Sequence, residues 1–179
     1  MLDIDTSLFL WLNASAASSA WLVPLARFAS TELPQWMLAG AVGAFVVGDA
    51  PVQRAVFRMV WAMAIAWVIA RIGQHYFPMP RPFVLGLGTP WMAHGDSPGF
   101  PSTHASVAFA FAAAMMASSG RALVAAVALL LAGMVAWSRV CLGLHFPFDV
   151  AAGALVGAFA GWLSGFAPRP VLRARVAHE

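Results

Sequence analysis

Long apolar stretches dominate the chain, and short polar segments interrupt them. Read in order, they predict a short amphipathic start over about residues 6–13, lying at a membrane interface, followed by six membrane helices. The predicted helices run over about 15–29, 34–47, 52–76, 103–118, 121–142 and 146–166. Asp5 or Thr6 is expected to cap the amphipathic start. Pro147 falls in the first turn of the last helix, where its missing amide proton is tolerated. One long loop, 77–100, is rich in Pro and Gly. Loops of that length in a compact domain tend to be functional or disordered. This one joins two of the three polar segments, which favours function. The pattern therefore predicts a single domain over 1–179, with a membrane core at about 15–166 and a polar cytoplasmic tail at 167–179.

Composition agrees with this reading. The chain is 61% hydrophobic and 9% charged, whereas an ordinary soluble domain is about 25% charged. The fold class is accordingly all-α, an integral membrane bundle, with the bilayer as its first partner. Eight Trp spread over many segments suit rings anchored at membrane interfaces. The net charge of +3 is small and scattered, which argues against nucleic acid as a partner. Single Cys141 forms no internal disulfide. Asp3 and Asp5 in the opening residues do not read as the basic start of a cleavable leader.

Arginine placement gives an orientation. Six spans put both termini on one side, with Arg54, Arg58, Arg121, Arg169, Arg173 and Arg175. The other side holds Arg27, Arg71, Arg81 and Arg139, and the last two belong to polar segments with their own reason to be there. The long loop then faces away from the cytoplasm. All three polar segments fall at that face.

Those segments are QHYFPMPRP (74–82), PSTH (101–104) and SRVCLGLHFPFD (138–149). His145 and Asp149, four apart, share a helical face. Their carboxylate–imidazole pair either orients a nucleophile or base or caps the helix. Ser102, Thr103 and His104 open a helix, whose free N–H groups favour an anion. Ser102 adds a hydroxyl donor and His104 could protonate a leaving oxygen, or the segment is a plain N-cap. Arg81 and Arg139 are forks suited to phosphate, though Arg139 could also snorkel to the interface. Pro80 and Pro82 hold the chain extended around Arg81. His75 and His94 read as interfacial or loop residues, and Asp96 stays ambiguous. Two arginines with two histidines suggest phosphate chemistry by a nucleophile and an acid. A zinc site from His104, His145 and Asp149 is disfavoured, because the two arginines would repel a dication.

Together the segments resemble the three signature motifs of the type-2 phosphatidic acid phosphatase superfamily. The first motif of that family is Lys, six residues, Arg-Pro; here it reads Gln74, six residues, Arg81-Pro82. The second is Pro-Ser-Gly-His, here Pro101-Ser102-Thr103-His104. The third is Ser-Arg, five residues, His, three residues, Asp, which Ser138-Arg139, His145 and Asp149 match without departure. Within the superfamily, PRPFVLGLG, FPSTHAS and LGLHFPFD look most like bacterial undecaprenyl-diphosphate phosphatases of the bacitracin-resistance type.

The resemblance implies hydrolysis through a phosphohistidine on His145, oriented by Asp149, with His104 as the acid. Arg81, Arg139, Ser102, the Thr103 amide and Gln74 would hold the phosphate, with no metal or other cofactor. It implies a bacterial cytoplasmic-membrane enzyme with its site on the periplasmic or extracellular side. The implied substrate is a polyprenyl diphosphate, and the product is a lipid carrier recycled for envelope synthesis. The alternatives are a phospholipid-phosphate phosphatase acting on phosphatidylglycerol phosphate or phosphatidate, a lipid A phosphatase, and a non-catalytic lipid-phosphate binding or transport protein. Gln74 in place of lysine removes one cation. Either Arg71, three residues earlier, compensates for it, or Gln74 donates a neutral hydrogen bond and Arg71 pairs elsewhere.

Overall fold

A computed structural model describes residues 2–166. The predicted tail, 167–179, lies outside the described residues, as do Arg169, Arg173 and Arg175. The described chain is all-helical: α1 Leu2–Leu12, α2 Leu22–Val47, α3 Ala50–Tyr76, α4 Thr103–Ser119, α5 Ala122–Cys141 and α6 Pro147–Leu163. A 3-10 turn at Pro82–Leu85 interrupts the long loop, and another, Ser164–Phe166, follows α6. By length and composition, Ala50–Tyr76, Ala122–Cys141 and Pro147–Phe166 are apolar enough to cross a membrane. Large apolar side chains such as Trp36, Val47, Leu123 and Leu155 face outward, as lipid-facing groups do.

The expected six-helix count does not hold. The segments read as two helices, 15–29 and 34–47, form one continuous 26-residue helix with Pro34 inside it. Residues between Leu12 and Leu22 are turns instead, with the Ser15 amide bonded to Ser18 Oγ. The polar stretch before Pro34 does not end a helix, because its side chains are used elsewhere. Thr31 Oγ1 bonds back to the Arg27 carbonyl at 2.8 Å, and Ser30 is buried against α5. Proline is tolerated inside a packed membrane helix where neighbours satisfy the freed groups. Five long helices therefore follow α1, not six.

This change of count moves the N-terminus. Helix α1 lies at the same end of the bundle as the α5–α6 junction. Phe9 is fully buried there, with its ring edge-on to Phe146 at 5.4 Å. Asp5 and Thr6 sit inside α1 rather than capping it. Asp5 instead accepts from the Phe148 amide at 3.0 Å, at the positive end of α6. The expectation that both termini share a side is thus overturned for the described chain: α1 and the end of α6 lie at opposite ends.

Helix α4 is central and packs on α3, α5 and α6. Its buried positions are mostly alanine. Helix α6 meets it through Gly153, Gly157 and Gly161, spaced four apart. A Cβ on Gly157 would lie 2.5 Å from the Ser106 carbonyl oxygen and 2.7 Å from the Ala110 amide. Small residues at this spacing let membrane helices approach backbone to backbone. The contact ends in a hydrogen bond from the Ser102 amide to the Asp149 carbonyl, at 3.0 Å.

We expect Gly157→Val to destabilise the protein by about 1–3 kcal/mol or more through overpacking. Gly40→Ala, with nothing within 4 Å of the new carbon, should melt like the parent. Thermal melts in detergent check both.

Candidate active site

The buried faces of the helices run as stripes at helical spacing. On α3 the stripe passes through Met59, Ala62, Ala66 and Ala70 to Gln74. On α5 it passes through Ala128, Ala132 and Val135 to Arg139. On α6 it begins at Asp149 and continues through Gly153 and Gly157. Helix α4 starts from buried Ser102, and α2 carries Ser30 beside Ala26, Ala29 and Leu33. At this one end of the bundle, each core stripe is thus occupied by a polar residue, which the periodicity turns inward.

His145 comes from the short α5–α6 junction. Gly143 adopts φ +76°, a left-handed conformation that glycine takes without strain, and its amide bonds to the Val140 carbonyl. The chain then reverses, leaving His145 1% exposed. Its Nδ1 faces Asp149 Oδ2 at 3.4 Å, the long end of a hydrogen bond. Its Nε2 lies 2.8 Å from Arg81 Nη1. A guanidinium only donates, so Nε2 presents its lone pair and the ring proton sits on Nδ1, towards Asp149. Burial, and then the charges of Arg81 and Arg139, push the imidazole well below its ordinary range and keep it neutral. Asp149 Oδ2 also accepts from the Phe146 amide at 3.0 Å, so this carboxylate caps α6 as well as facing the histidine.

The two arginines differ. Arg81 is extended between its prolines (φ −78°, ψ 159°). All three of its nitrogens are engaged. Nε donates to the Ser97 carbonyl at 2.7 Å, Nη1 to the Leu144 carbonyl and His145, and Nη2 to the Pro98 carbonyl and Ser97 Oγ. Arg139 is 3% exposed, so it does not snorkel. Its Nη1 donates to Ser30 Oγ at 2.5 Å, while buried Nε and Nη2 have no partner. Ser102 Oγ is likewise buried and unpartnered, and it makes no capping bond to α4. Arg58 Nε shares this condition at the far end of the bundle.

Gln74 is 5% exposed. Its Nε2 donates to the Pro101 carbonyl at 3.1 Å and to Thr103 Oγ1 at 2.9 Å. Its Oε1 accepts from Arg71 Nη1 at 3.0 Å. Both residues that depart from the family motifs therefore touch one another, and Arg71 reaches Gln74. His104 projects from the first turn of α4 into an apolar cavity of about 310 Å³ lined by Pro34, Met37, Met63, Trp67 and Phe111 among others. His75 is exposed at the end of α3, beside Tyr76. His94 is half-buried in the loop, its Nδ1 3.0 Å from the Gly95 carbonyl. Asp96 is exposed.

Three contributors were not singled out from the sequence. Ser30 holds Arg139, and Ser97 holds Arg81. At Gly99, a Cβ would lie 3.2 Å from Asp149 Oδ2. Only Ser30 left a signal, as part of the polar Ser-Thr-Glu interruption in an apolar helix.

Comparison with known proteins agrees with this architecture. The PAP2 superfamily matches residues 55–167. YbjG of Escherichia coli (strain K12), which carries a provisional undecaprenyl-diphosphatase name, is 33% identical over 155 residues, covering 87% of this chain and 78% of that protein. A decaprenylphosphoryl-5-phosphoribose phosphatase of Mycobacterium tuberculosis is 34% identical over 145 residues, covering 79% and 67%. Among solved structures, LpxE of Aquifex aeolicus superposes with a TM-score of 0.73 at 23% identity, covering 90% of this chain and 94% of that one. With the family matched over most of the described bundle, including α4 to α6, the chain belongs to the PAP2 superfamily, as a membrane-embedded phosphatase.

Proposed function

We propose that this phosphatase removes the terminal phosphate of a polyprenyl diphosphate, undecaprenyl diphosphate being the leading candidate, and so regenerates a monophosphate lipid carrier for envelope synthesis. One observation carries the reading. Ser102 Oγ, Arg139 Nε and Arg139 Nη2 are buried donors without partners; the Ser102 amide bonds to the Asp149 carbonyl, and the Arg139 carbonyl accepts from Leu144, the neighbour of His145. Buried donors left unpaired cost about 1–3 kcal/mol each, and a phosphoryl group with several acceptor oxygens would satisfy them. The E. coli relative supports the choice of lipid.

The chemistry follows from the donors. The phosphoryl group lies at the N-terminus of α4, held by Arg139, Ser102 and the Thr103 amide. Arg81 Nη1 turns from His145 Nε2 to a phosphoryl oxygen, which frees the lone pair. Nε2 attacks phosphorus; the N–P bond forms as the bond to the leaving oxygen breaks. His104 donates a proton to that oxygen. Asp149 stabilises the proton on Nδ1 as positive charge develops on the ring. Water then gives a proton to His104 and attacks phosphorus; the N–P bond breaks with its electron pair returning to Nε2, and phosphate leaves. Arginines and the helix end stabilise the equatorial charge. The apolar cavity beside His104 suits the hydrocarbon adjoining the leaving group.

Phosphate release from undecaprenyl diphosphate, phosphatidate, phosphatidylglycerol phosphate and lipid A, measured side by side, tests the substrate. The diphosphate should turn over fastest; a phospholipid phosphate in first place refutes the carrier role. His145→Ala should lower turnover by at least about 100-fold, with His75→Ala near the parent.

Gln74→Ala should reduce kcat/KM by roughly fivefold to tenfold, since two bonds to the Pro101–Thr103 turn vanish. Arg71→Ala should cost less, because its contact with the turn runs through Gln74. The reverse order would mean that Arg71 itself supplies the missing cation.

Arginine placement supports a loop facing the periplasm or cell exterior in the cytoplasmic membrane. Cys141 is buried, so introduced cysteines are readable. Ala93→Cys should label from outside intact cells, and Gly120→Cys should label only after permeabilisation.

A further inference from the structure

Helix α2 lies outside the segment that matches the family, residues 55–167. Yet it makes a polar contact with the site, from Ser30. Ser30 is 3% exposed, and its Oγ accepts from Arg139 Nη1 at 2.5 Å. A serine in a membrane helix usually satisfies its own hydroxyl by bonding back along the helix. Thr31 does this, to the Arg27 carbonyl. Ser30 is turned instead to the arginine. Pro34, four residues on, has no amide proton to give the Ser30 carbonyl, so the helix is loosened at this turn.

The bond decides which edge of the guanidinium is free. With Nη1 held by α2, the fork presents Nε and Nη2, the two buried nitrogens without partners. Those two form one edge of the planar group, the edge that binds two oxygens of a phosphate together. Among the described residues, Ser30 is the polar partner of the Arg139 side chain, and without it no hydrogen bond fixes the rotation of the guanidinium. Arg81 needs no such anchor, because loop carbonyls and His145 hold its three nitrogens.

We propose that Ser30 is a positioning residue for phosphate recognition, acting through Arg139: its hydroxyl fixes the guanidinium so that the Nε–Nη2 edge meets the phosphoryl group. The proposal rests on the phosphate site described above. It also ties the recognition of the headgroup to α2, whose next turn, at Pro34, Met37 and Leu38, lines the apolar cavity beside His104.

The test uses the full chain in detergent and two readouts. One is the concentration of orthovanadate that half-maximally raises the melting temperature; the other is KM and kcat for the lipid phosphate the parent hydrolyses fastest. Ser30→Ala should weaken vanadate binding and raise KM roughly tenfold, the usual scale for a lost hydrogen bond to a charged group. Its melting temperature without vanadate should fall modestly, since Arg139 Nη1 then becomes a third buried donor without a partner. Ser30→Thr, which keeps the hydroxyl, should restore both values to within about twofold. Ser30→Cys, nearly the same size but a weak acceptor, should behave like Ser30→Ala and serves if the alanine protein does not fold. In an Arg139→Ala protein, Ser30→Ala should add no further loss. Parent-like vanadate binding and KM in Ser30→Ala would overturn the proposal. So would an equal penalty in the presence and absence of Arg139, which would make Ser30 a packing residue of α2. A parent that binds vanadate without hydrolysing any lipid phosphate would instead refute the proposed function, while leaving the Ser30 comparison readable by vanadate alone.

Discussion

Backbone contact between α4 and α6 is the constraint from which the site follows. Gly153, Gly157 and Gly161 leave a stripe free of side chains on the surface of α6 that faces α4. The α4 backbone fills that space, with Ser102 and Ser106 presenting their carbonyls to the first two glycines. Two helix N-termini are thereby brought side by side, and the Ser102 amide closes onto the Asp149 carbonyl. The N-terminus of a helix attracts anions. One of these ends is answered within the protein: Asp149 caps α6, and Asp5 reaches its Phe148 amide from α1. Ser102, at the start of α4, leaves its hydroxyl unused. The first turn of α4 carries no acidic residue, and it is there that we propose the phosphoryl group to bind.

Satisfaction of buried charge divides the two arginines in the same way. Arg81 is a strut: its bonds hold the 97–98 turn and the His145 junction together before any substrate arrives. Arg139 is held at one nitrogen and open at two. An arginine fully bonded to protein preorganises a site, and one with free donors receives a ligand; a site that binds and also orients needs both. Neutral Gln74 completes the arrangement. It supplies no charge, but it locks the turn that starts α4 to the end of α3.

The N-terminal third of the chain holds the site from the side. Asn13 bridges the Thr89 and Cys141 carbonyls, Trp91 bonds to the Ala14 carbonyl, and Arg27 bonds to the Trp91 carbonyl. The long loop is thus fastened at its middle by residues before and at the start of α2. That fastening explains how a Pro- and Gly-rich loop presents Arg81, Ser97 and Gly99 in fixed positions.

Much of this was legible in the sequence. Apolar runs gave α3 to α6 within a few residues of their ends, because a hydrocarbon environment leaves few alternatives to helices. The motif spacings marked His145, Asp149, Ser102, Arg81 and Arg139 as one group, since helical period turns Arg139 and Asp149 to the same interior as the alanines and glycines beside them. Three features depended on tertiary structure. The polar stretch before Pro34 separated two helices, 15–29 and 34–47, by local rule, yet α2 runs through it because its polar groups find partners within the bundle. Asp5 looked like a cap for its own helix, but the amide it accepts from lies 143 residues away, at the start of α6. Ser30 carried no motif, and its partner is 109 residues distant. Hydrophobic period acts over a few residues and is written locally. The partner of a buried polar group is chosen by which helices pack together, and that choice exists only once the bundle is assembled.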